Sequence, residues 1–174
     1  ERRHLPRPSH QGVKRAMPAS SRKGETMLRP AKILVPTDFS EASDKALKQG
    51  IDIARQYKAE LHLLHVIPLD LSYALADYAI PTQAIEAFEK QQLEGASRSM
   101  KEQIARSPGS GDIEVNCDIV KGIAYEEILK QAKDRGIDLI VIASLGKSGL
   151  AKYFVGSVAR NVLKKAHCPV LLTR

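Results

Sequence analysis

Cysteines are scarce in this chain, and its histidines do not form metal-binding motifs. Cys117 and Cys168 are the two cysteines among 174 residues, and no Cys-x-x-Cys motif occurs. This spacing supports neither a zinc site nor a redox motif, and both residues are predicted to be small apolar side chains in or beside strands. His62 and His65 are three positions apart on a predicted strand, so they point to opposite faces and cannot form a local metal pair. We therefore expect no metal site built from protein side chains.

Long apolar runs are also missing. No segment approaches the length needed to span a bilayer, and the first residues lack the seven-residue apolar core of a secretory signal. The sequence therefore predicts a soluble, cytoplasmic protein without a membrane partner.

Positive charge is concentrated at one end of the chain. Residues 1–26 contain seven Lys and Arg against two Glu, so they contribute +5 of the formal net charge of +7. This segment is rich in Pro, Ser and Gly and has no apolar period, which is typical of disorder. We predict a basic tail, transit peptide or added leader over residues 1–30 and one domain over residues 31–174. Because most of the charge belongs to the tail, a specific nucleic-acid partner is not indicated.

Short apolar runs alternate with helical periods over the rest of the chain. The predicted strands are 33–36, 61–67, 113–119, 139–143 and 169–173, and the predicted helices are 40–57, 82–106, 125–135 and 158–166. This alternation predicts an α/β fold with right-handed crossovers and a mostly parallel five-stranded sheet between helices. The third strand alternates apolar with polar residues, which predicts an edge position. In the last helix we predict a buried stripe that includes Val162 and Leu163.

A loop with glycines joins the fourth predicted strand to the last helix. Gly146 follows the strand, and Gly156-Ser157 precedes the helical period. The first turn of a helix has unpaired N–H groups and partial positive charge, so this arrangement favours phosphate binding. The alternative is that the glycines only turn the chain and ease helix packing. A P-loop is excluded because Val141 occupies a position that requires glycine.

These motifs, in this order, resemble the universal stress protein family. Its nucleotide-binding branch reads Gly-x-x-Gly, nine residues, Gly-Ser/Thr; here Ala143 stands at the first glycine, Gly146 at the second and Gly156-Ser157 at the distal pair. The runs 32–41 and 168–172 also resemble the first strand with its turn and the closing strand of the family. The resemblance implies a doubly wound sheet with the order 3-2-1-4-5, which opens a crevice at the carboxyl ends of strands one and four.

The resemblance further implies a site for ATP, ADP or AMP, with or without Mg²⁺. It assigns main-chain groups of Val66 to the adenine, Pro36, Thr37 and Asp38 to the base and ribose, Ala143 to the ribose side, and Gly146, Gly156, Ser157 and Val158 to the phosphates. Alanine at position 143 adds a methyl group and disfavours positive φ, which bears on close approach of the ribose. The alternative roles of Asp38 and Ser157 are helix caps.

No complete catalytic set accompanies this site. Neither paired carboxylates nor a Ser-His-Asp set can be placed near the loop, so we predict at most a slow ATPase without catalytic residues of its own. The leading hypothesis is an adenine-nucleotide-binding stress protein whose bound state alters its interaction with a partner protein. The rival hypothesis is a nucleotide-free homodimeric interaction module. An adenylate-transferring enzyme is disfavoured because the first loop lacks a Ser-Gly-Gly-rich sequence.

The last predicted strand is a candidate dimer interface. Val170, Leu171 and Leu172 form a short apolar strand at the end of the sheet, where exposed N–H and C=O groups invite pairing. The family resemblance implies a homodimer through this strand.

Overall fold

The computed structural model describes residues 28–69, 81–145 and 155–174, in which one sheet is covered by helices on both faces. Its strands are β1 (Lys32–Thr37), β2 (Glu60–Ile67), β3 (Val115–Lys121), β4 (Leu139–Ala143) and β5 (Val170–Thr173). Its helices are α1 (Glu41–Tyr57), α2 (Thr82–Arg106), α3 (Ala124–Asp134) and α4 (Ser157–Lys165), with a 3-10 turn at Ser110–Asp112.

The strand order is β3-β2-β1-β4-β5, and every neighbouring pair is parallel. The predicted fold class and strand order are therefore confirmed. β1 is central: Ile33 pairs with Leu139 of β4, and Thr37 pairs with His65 of β2. β3 lies at an edge, as its polar alternation predicted. Because all neighbours are parallel, the carboxyl ends of the strands meet at one edge of the sheet.

Successive side chains of β1 pack into two separate cores. Ile33 and Val35 belong to a buried cluster with Ile51 of α1 and Met100 of α2. Leu34 belongs to a second cluster, which contains buried residues of α3 and α4. Because residues of a strand alternate between the faces of a sheet, these two clusters lie on opposite sides of β1. The chain therefore passes to one face after β1 and to the other face after β4.

The helix boundaries follow from local capping and packing. Ser40 caps α1 by accepting a hydrogen bond from Ser43 N–H at 3.2 Å, and Lys58 ends the helix in a left-handed conformation with φ +56°. α2 has the predicted bounds. The prediction that Leu163 belongs to the buried stripe of α4 is wrong, because Leu163 is 43% exposed. Val162 faces the core, and the next residue lies about 100° further around the helix.

His62 and His65 lie on opposite faces of the sheet, as predicted. His62 is buried, and its Nε2 is 3.0 Å from Glu60 Oε1, although the contact lacks hydrogen-bond alignment. Arg135, just after α3, approaches His62 Nδ1 at 3.2 Å and donates to Asp118 Oδ1 at 2.7 Å. These contacts fasten the end of α3 to β2 and β3, on the side of the sheet away from α1.

The predicted tail over residues 1–30 falls almost entirely outside the described residues, so its disorder stays a prediction. Within the described ranges, the helices lack the combination of length and apolar character that crossing a bilayer requires.

Gly50 allows α1 to pack closely against the sheet. A Cβ at this position would lie 2.7 Å from Val35 Cγ2 and 3.4 Å from Leu61 Cδ1, and both of these side chains are buried. Val35 is β-branched and cannot easily turn aside. We therefore predict that Gly50→Ala lowers the free energy of unfolding by about 1–3 kcal/mol, although alanine is the better helix former. Urea unfolding measures this change.

Gly95 in α2 provides the matched control. A Cβ there meets nothing within 4 Å, so we expect Gly95→Ala to raise the free energy of unfolding by roughly 0.5–1 kcal/mol. Equal stabilisation by both substitutions would contradict the close packing of α1 on Val35.

Candidate functional site

A cavity of about 220 Å³ opens at the carboxyl edge of the sheet. It lies where the chain leaves the neighbouring strands β1 and β4 toward opposite faces. Such a divergence leaves a crevice that the crossing helices do not fill. Residues of β1, β2, β4, α3 and the start of α4 line it.

The cavity brings together most of the residues that the sequence predicted for a nucleotide site. Those that line it are Pro36, Thr37, Asp38, Val66, Ala143, Gly156, Ser157 and Val158. Gly146 lies outside the described residues. Lining residues that were not predicted are Ser43, Leu64, His65, Ala124, Ile128, Ile142, Ser144, Leu145 and Ala159. The structure thus gathers the predicted residues at one place, and their contacts with a ligand stay a prediction.

The turn between β1 and α1 is held by side-chain hydrogen bonds. Thr37 Oγ1 accepts from Phe39 N–H at 3.0 Å. Asp38 Oδ1 accepts from both the N–H and the hydroxyl of Ser40, at 3.1 and 2.6 Å. Ser40 is therefore the residue that caps α1, rather than Asp38, which was the alternative considered from the sequence. The carboxylate of Asp38 is held as a fixed hydrogen-bond acceptor at the cavity wall.

His65 is the most informative residue that the sequence analysis did not place in the site. Its ring stacks against Phe39 with centroids 4.3 Å apart and an interplanar angle of 33°. Its Nδ1 is 2.8 Å from the carbonyl oxygen of Thr37, so Nδ1 carries a proton and donates. The sequence contained a signal for this position, because His65 directly precedes Val66, which was already assigned to the site. In the structure, Thr37 at the end of β1 pairs with His65 within β2.

The first turn of α4 faces the cavity without a side-chain cap. Gly156 occupies the N-cap position, and its end of the helix has no side-chain cap that accepts from the free N–H groups among the described residues. Ser157 is the first helical residue and does not serve as the cap, which removes that alternative. Arg160 N–H makes the first intrahelical bond, to the Gly156 carbonyl at 2.9 Å. The N–H groups of residues 157–159 therefore have no partner within the helix.

Gly156 is not required by its backbone conformation. Its φ is −56° and its ψ is 154°, values that any L-residue adopts. Its N–H donates to the Ser144 carbonyl at 2.7 Å, which fixes the start of α4 to the end of β4. Among the described residues, a Cβ would meet this carbonyl, at 3.4 Å. Glycine at this position therefore leaves space open at the cavity wall and does not supply a special turn conformation.

Ala143 is the last residue of β4, in register with Thr173 of β5. It is not among the described residues with positive φ. The backbone at this motif position is therefore compatible with alanine, and the remaining question is whether its methyl group limits a ligand.

The titratable side chains among the described lining residues are Asp38 and His65. The two cysteines lie elsewhere: Cys117 is exposed in β3, and Cys168 is half-buried just before β5. Partial burial of the sulfur atoms raises the pKa of both thiols. The carboxylate of Asp118 raises the pKa of Cys117 further, and that of Asp138 does the same for Cys168. Since a raised pKa reduces the thiolate population at neutral pH, neither cysteine is activated as a nucleophile.

Comparisons with known proteins agree with this fold. The model described as "Universal stress protein family" matches residues 30–174. The universal stress protein MJ0577 of Methanocaldococcus jannaschii is 38% identical over 152 residues, which cover 82% of this chain and 94% of that protein. The solved structure of MJ0577 superposes with a TM-score of 0.71 at 34% identity, covering 84% of this chain and 96% of the other.

A universal stress protein solved in complex with cAMP also has this fold. It superposes with a TM-score of 0.61 at 20% identity, covering 84% of this chain and 98% of the other.

Proposed function

This chain belongs to the universal stress protein family, and from that premise we propose that it is a cytoplasmic stress-response protein that binds an adenine nucleotide in the cavity. The bound nucleotide changes the interaction of the protein with a partner protein. ATP, ADP and AMP are the candidate ligands.

The start of α4 is the observation that carries this proposal. Gly156, Ser157 and Val158 line the cavity, and the N–H groups of the first turn lack caps among the described residues. These groups and the helix dipole favour an anion, and the missing side chain at Gly156 leaves room for one to approach. A phosphate group at this end of the cavity would receive backbone hydrogen bonds, and the described part of the lining contains no lysine or arginine.

The part of the lining formed by β2 and α3 suits a purine. Leu64 and Ile128 are buried apolar residues at the cavity, and Val66 lies near the end of β2 with its main chain available for the polar edge of a base. The cAMP complex of a universal stress protein supports an adenine ligand on this fold.

The turn after β1 also lines the cavity, and we propose that it contacts the ribose. Asp38 offers a fixed carboxylate, which accepts hydrogen bonds from hydroxyl groups. The hydroxyl of Thr37 is engaged with the protein, so Pro36 and Thr37 would contribute their backbone and apolar atoms.

The site is proposed to bind rather than to catalyse. Among the described residues no group of three or more side chains could hold a metal ion, so Mg²⁺ would enter with a polyphosphate and not on protein ligands. His65 donates Nδ1–H to a carbonyl oxygen, an arrangement that fixes the orientation and the tautomer of the ring. Hydrolysis of ATP, if measured, is expected to be slow.

Substitutions at the start of α4 test the phosphate end. A charge-assisted hydrogen bond is worth about 1.5–3 kcal/mol, so we predict that Ser157→Ala weakens nucleotide binding roughly tenfold to a hundredfold if its hydroxyl contacts phosphate. Gly156→Val is predicted to weaken it more, because the side chain would fill the space left for the ligand. Calorimetry with ATP, ADP and AMP measures both effects.

Gly156→Ala serves as the size control, since among the described residues its single methyl group would meet the Ser144 carbonyl at 3.4 Å. Affinity should fall in the order wild type, alanine, valine, while thermal unfolding shows that each variant is folded. Wild-type protein that binds no nucleotide up to millimolar concentration would leave the nucleotide-free interaction module as the better hypothesis.

Restoring glycine at the first motif position tests the ribose side. We predict that Ala143→Gly preserves or strengthens nucleotide binding, because it removes a methyl group from the cavity wall. A loss of affinity, measured by the same calorimetry on a folded variant, would show that the methyl group of Ala143 itself contacts the ligand.

We also propose that two copies of the chain associate through β5. Among the described strands β5 pairs only with β4, and Ile140 N–H and Ser144 N–H donate to the carbonyls of Pro169 and Thr173. Because N–H and C=O of one residue point to the same side of a strand, positions 169, 171 and 173 face β4. Val170 and Leu172 therefore present their backbone groups to the free edge, whereas Leu171 bonds within the sheet.

The edge is tested at Leu172. Leu172→Pro removes an outward N–H and should reduce the dimer fraction, whereas Leu172→Ala loses similar packing but keeps the N–H and should retain dimers. Light scattering at micromolar concentration measures the mass. Equal dimer fractions for the two folded variants would contradict pairing through this edge.

A further inference from the structure

A buried glutamine of α2 contacts the wall of the proposed nucleotide cavity. Gln103 of α2 is 1% exposed and contacts Thr37 at the end of β1, 66 positions earlier in the chain. Thr37 and Ser43 are also buried, and both line the cavity. A fully buried amide in this position requires partners for its donors and its acceptor.

The orientation of the amide follows from its neighbours. The Gln103 Nε2 lies 2.7 Å from Asp44 Oδ1. An ionised carboxylate only accepts hydrogen bonds, so the NH₂ group faces Asp44 and the amide oxygen faces Thr37. Nε2 also lies 3.3 Å from Ser43 Oγ, whose own proton goes to the Ser40 carbonyl at 2.8 Å.

This orientation fixes the hydroxyl of Thr37. Thr37 Oγ1 is 2.8 Å from the Gln103 amide oxygen, which cannot donate, so the single hydroxyl proton points to Gln103. The lone pairs of the same oxygen then accept from Phe39 N–H at 3.0 Å. The amide of Gln103 therefore fixes the orientation in which the Thr37 hydroxyl accepts the hydrogen bond from Phe39 N–H.

The turn that follows Thr37 is strained. Phe39 has φ +63°, and for a residue with a side chain this left-handed conformation is unfavourable. The hydrogen bond from Phe39 N–H to Thr37 and the stacking of its ring on His65 support it. Asp38 lies between Thr37 and Phe39, so the direction of its carboxylate depends on the same turn.

We propose that Gln103 is a positioning residue for the nucleotide site, acting from α2 through the Thr37 hydroxyl to hold the Asp38–Phe39 turn in its ligand-binding conformation. The inference rests on the proposed nucleotide function for its binding consequence. Gln103 does not line the cavity, so its effect is transmitted through Thr37.

Gln103→Met tests this role because it keeps the length of the side chain and removes both hydrogen-bonding groups. The hydroxyl proton of Thr37 then has Ser43 Oγ, 3.1 Å away, as its remaining acceptor, and the lone pairs rotate away from Phe39 N–H. We expect ATP to bind about five- to thirtyfold more weakly by calorimetry. In the nucleotide-free protein, the Phe39 amide should exchange its hydrogen about tenfold faster, as followed by NMR.

Ser107→Ala is the matched control. Ser107 is buried at the end of α2 and donates to the Gln103 carbonyl at 2.8 Å, so the variant loses a buried hydrogen bond of the same helix without touching the turn. It should lose thermal stability yet keep wild-type affinity and Phe39 exchange. The same loss of affinity in both variants would overturn the positioning role in favour of general destabilisation.

A pair of substitutions supplies the rescue. Gln103→Glu alone places a second carboxylate against Asp44 and should bind ATP poorly. Adding Asp44→Asn restores a donor and acceptor between the two positions and keeps an acceptor for Thr37, so affinity should recover. Failure of this recovery, or wild-type affinity in folded Gln103→Met, would overturn the inference.

The two proposals fail in distinguishable ways. A wild-type protein that binds none of ATP, ADP and AMP up to millimolar concentration overturns the nucleotide function. In that case the Phe39 exchange rate in Gln103→Met still decides the positioning role: faster exchange supports control of the turn by Gln103, and unchanged exchange overturns it.

Discussion

The pairing of β1 with β4 is the constraint on which the rest of the structure depends. These two strands lie side by side at the centre of the sheet, but their following helices pack on opposite faces. The divergence opens the cavity and directs both the β1–α1 turn and the start of α4 toward it. Residues more than a hundred positions apart, such as Asp38 and Gly156, therefore reach the same cavity.

The fold was largely predictable because its signals are local. The apolar run at 33–36 and the period over 40–57 each specify one element, and the alternation of strands with helices restricts the topology to crossovers of one hand. The strand order needed more than periodicity and came from the family resemblance. Leu163 shows the limit of the helical pattern: an apolar residue beside Val162 can extend a predicted stripe, but the packed surface admits only one of them.

The candidate site was predictable as a set of positions but not as a network of contacts. Sequence spacing placed Gly156 and Ser157 at a helix start. It could not show that Gly156 has an ordinary φ and that the contribution of this glycine is the space left by its missing side chain. It also suggested Asp38 as a cap, whereas Ser40 has that role and Asp38 binds Ser40. Gln103 was not recognisable, because a glutamine in a long helix carries no signal for a partner 66 positions away.

The charges at the cavity limit how a ligand could be recognised. Among the described lining residues there is one carboxylate and no lysine or arginine, so within this part of the cavity the groups that would attract a phosphate are the N–H groups and the dipole of α4. Backbone donors fixed by the fold need no side-chain ordering when a ligand binds, which lowers the entropic cost of association. The attraction that the helix terminus exerts on an anion also falls off within the first turn, so it stabilises an anion at one position only. The other contacts of the ligand must therefore position its phosphate at this point, and the turn that carries Asp38 would supply some of those contacts. A site of this kind depends less on charge than on the rigidity of its walls, and the buried amide of Gln103 lies behind one of those walls.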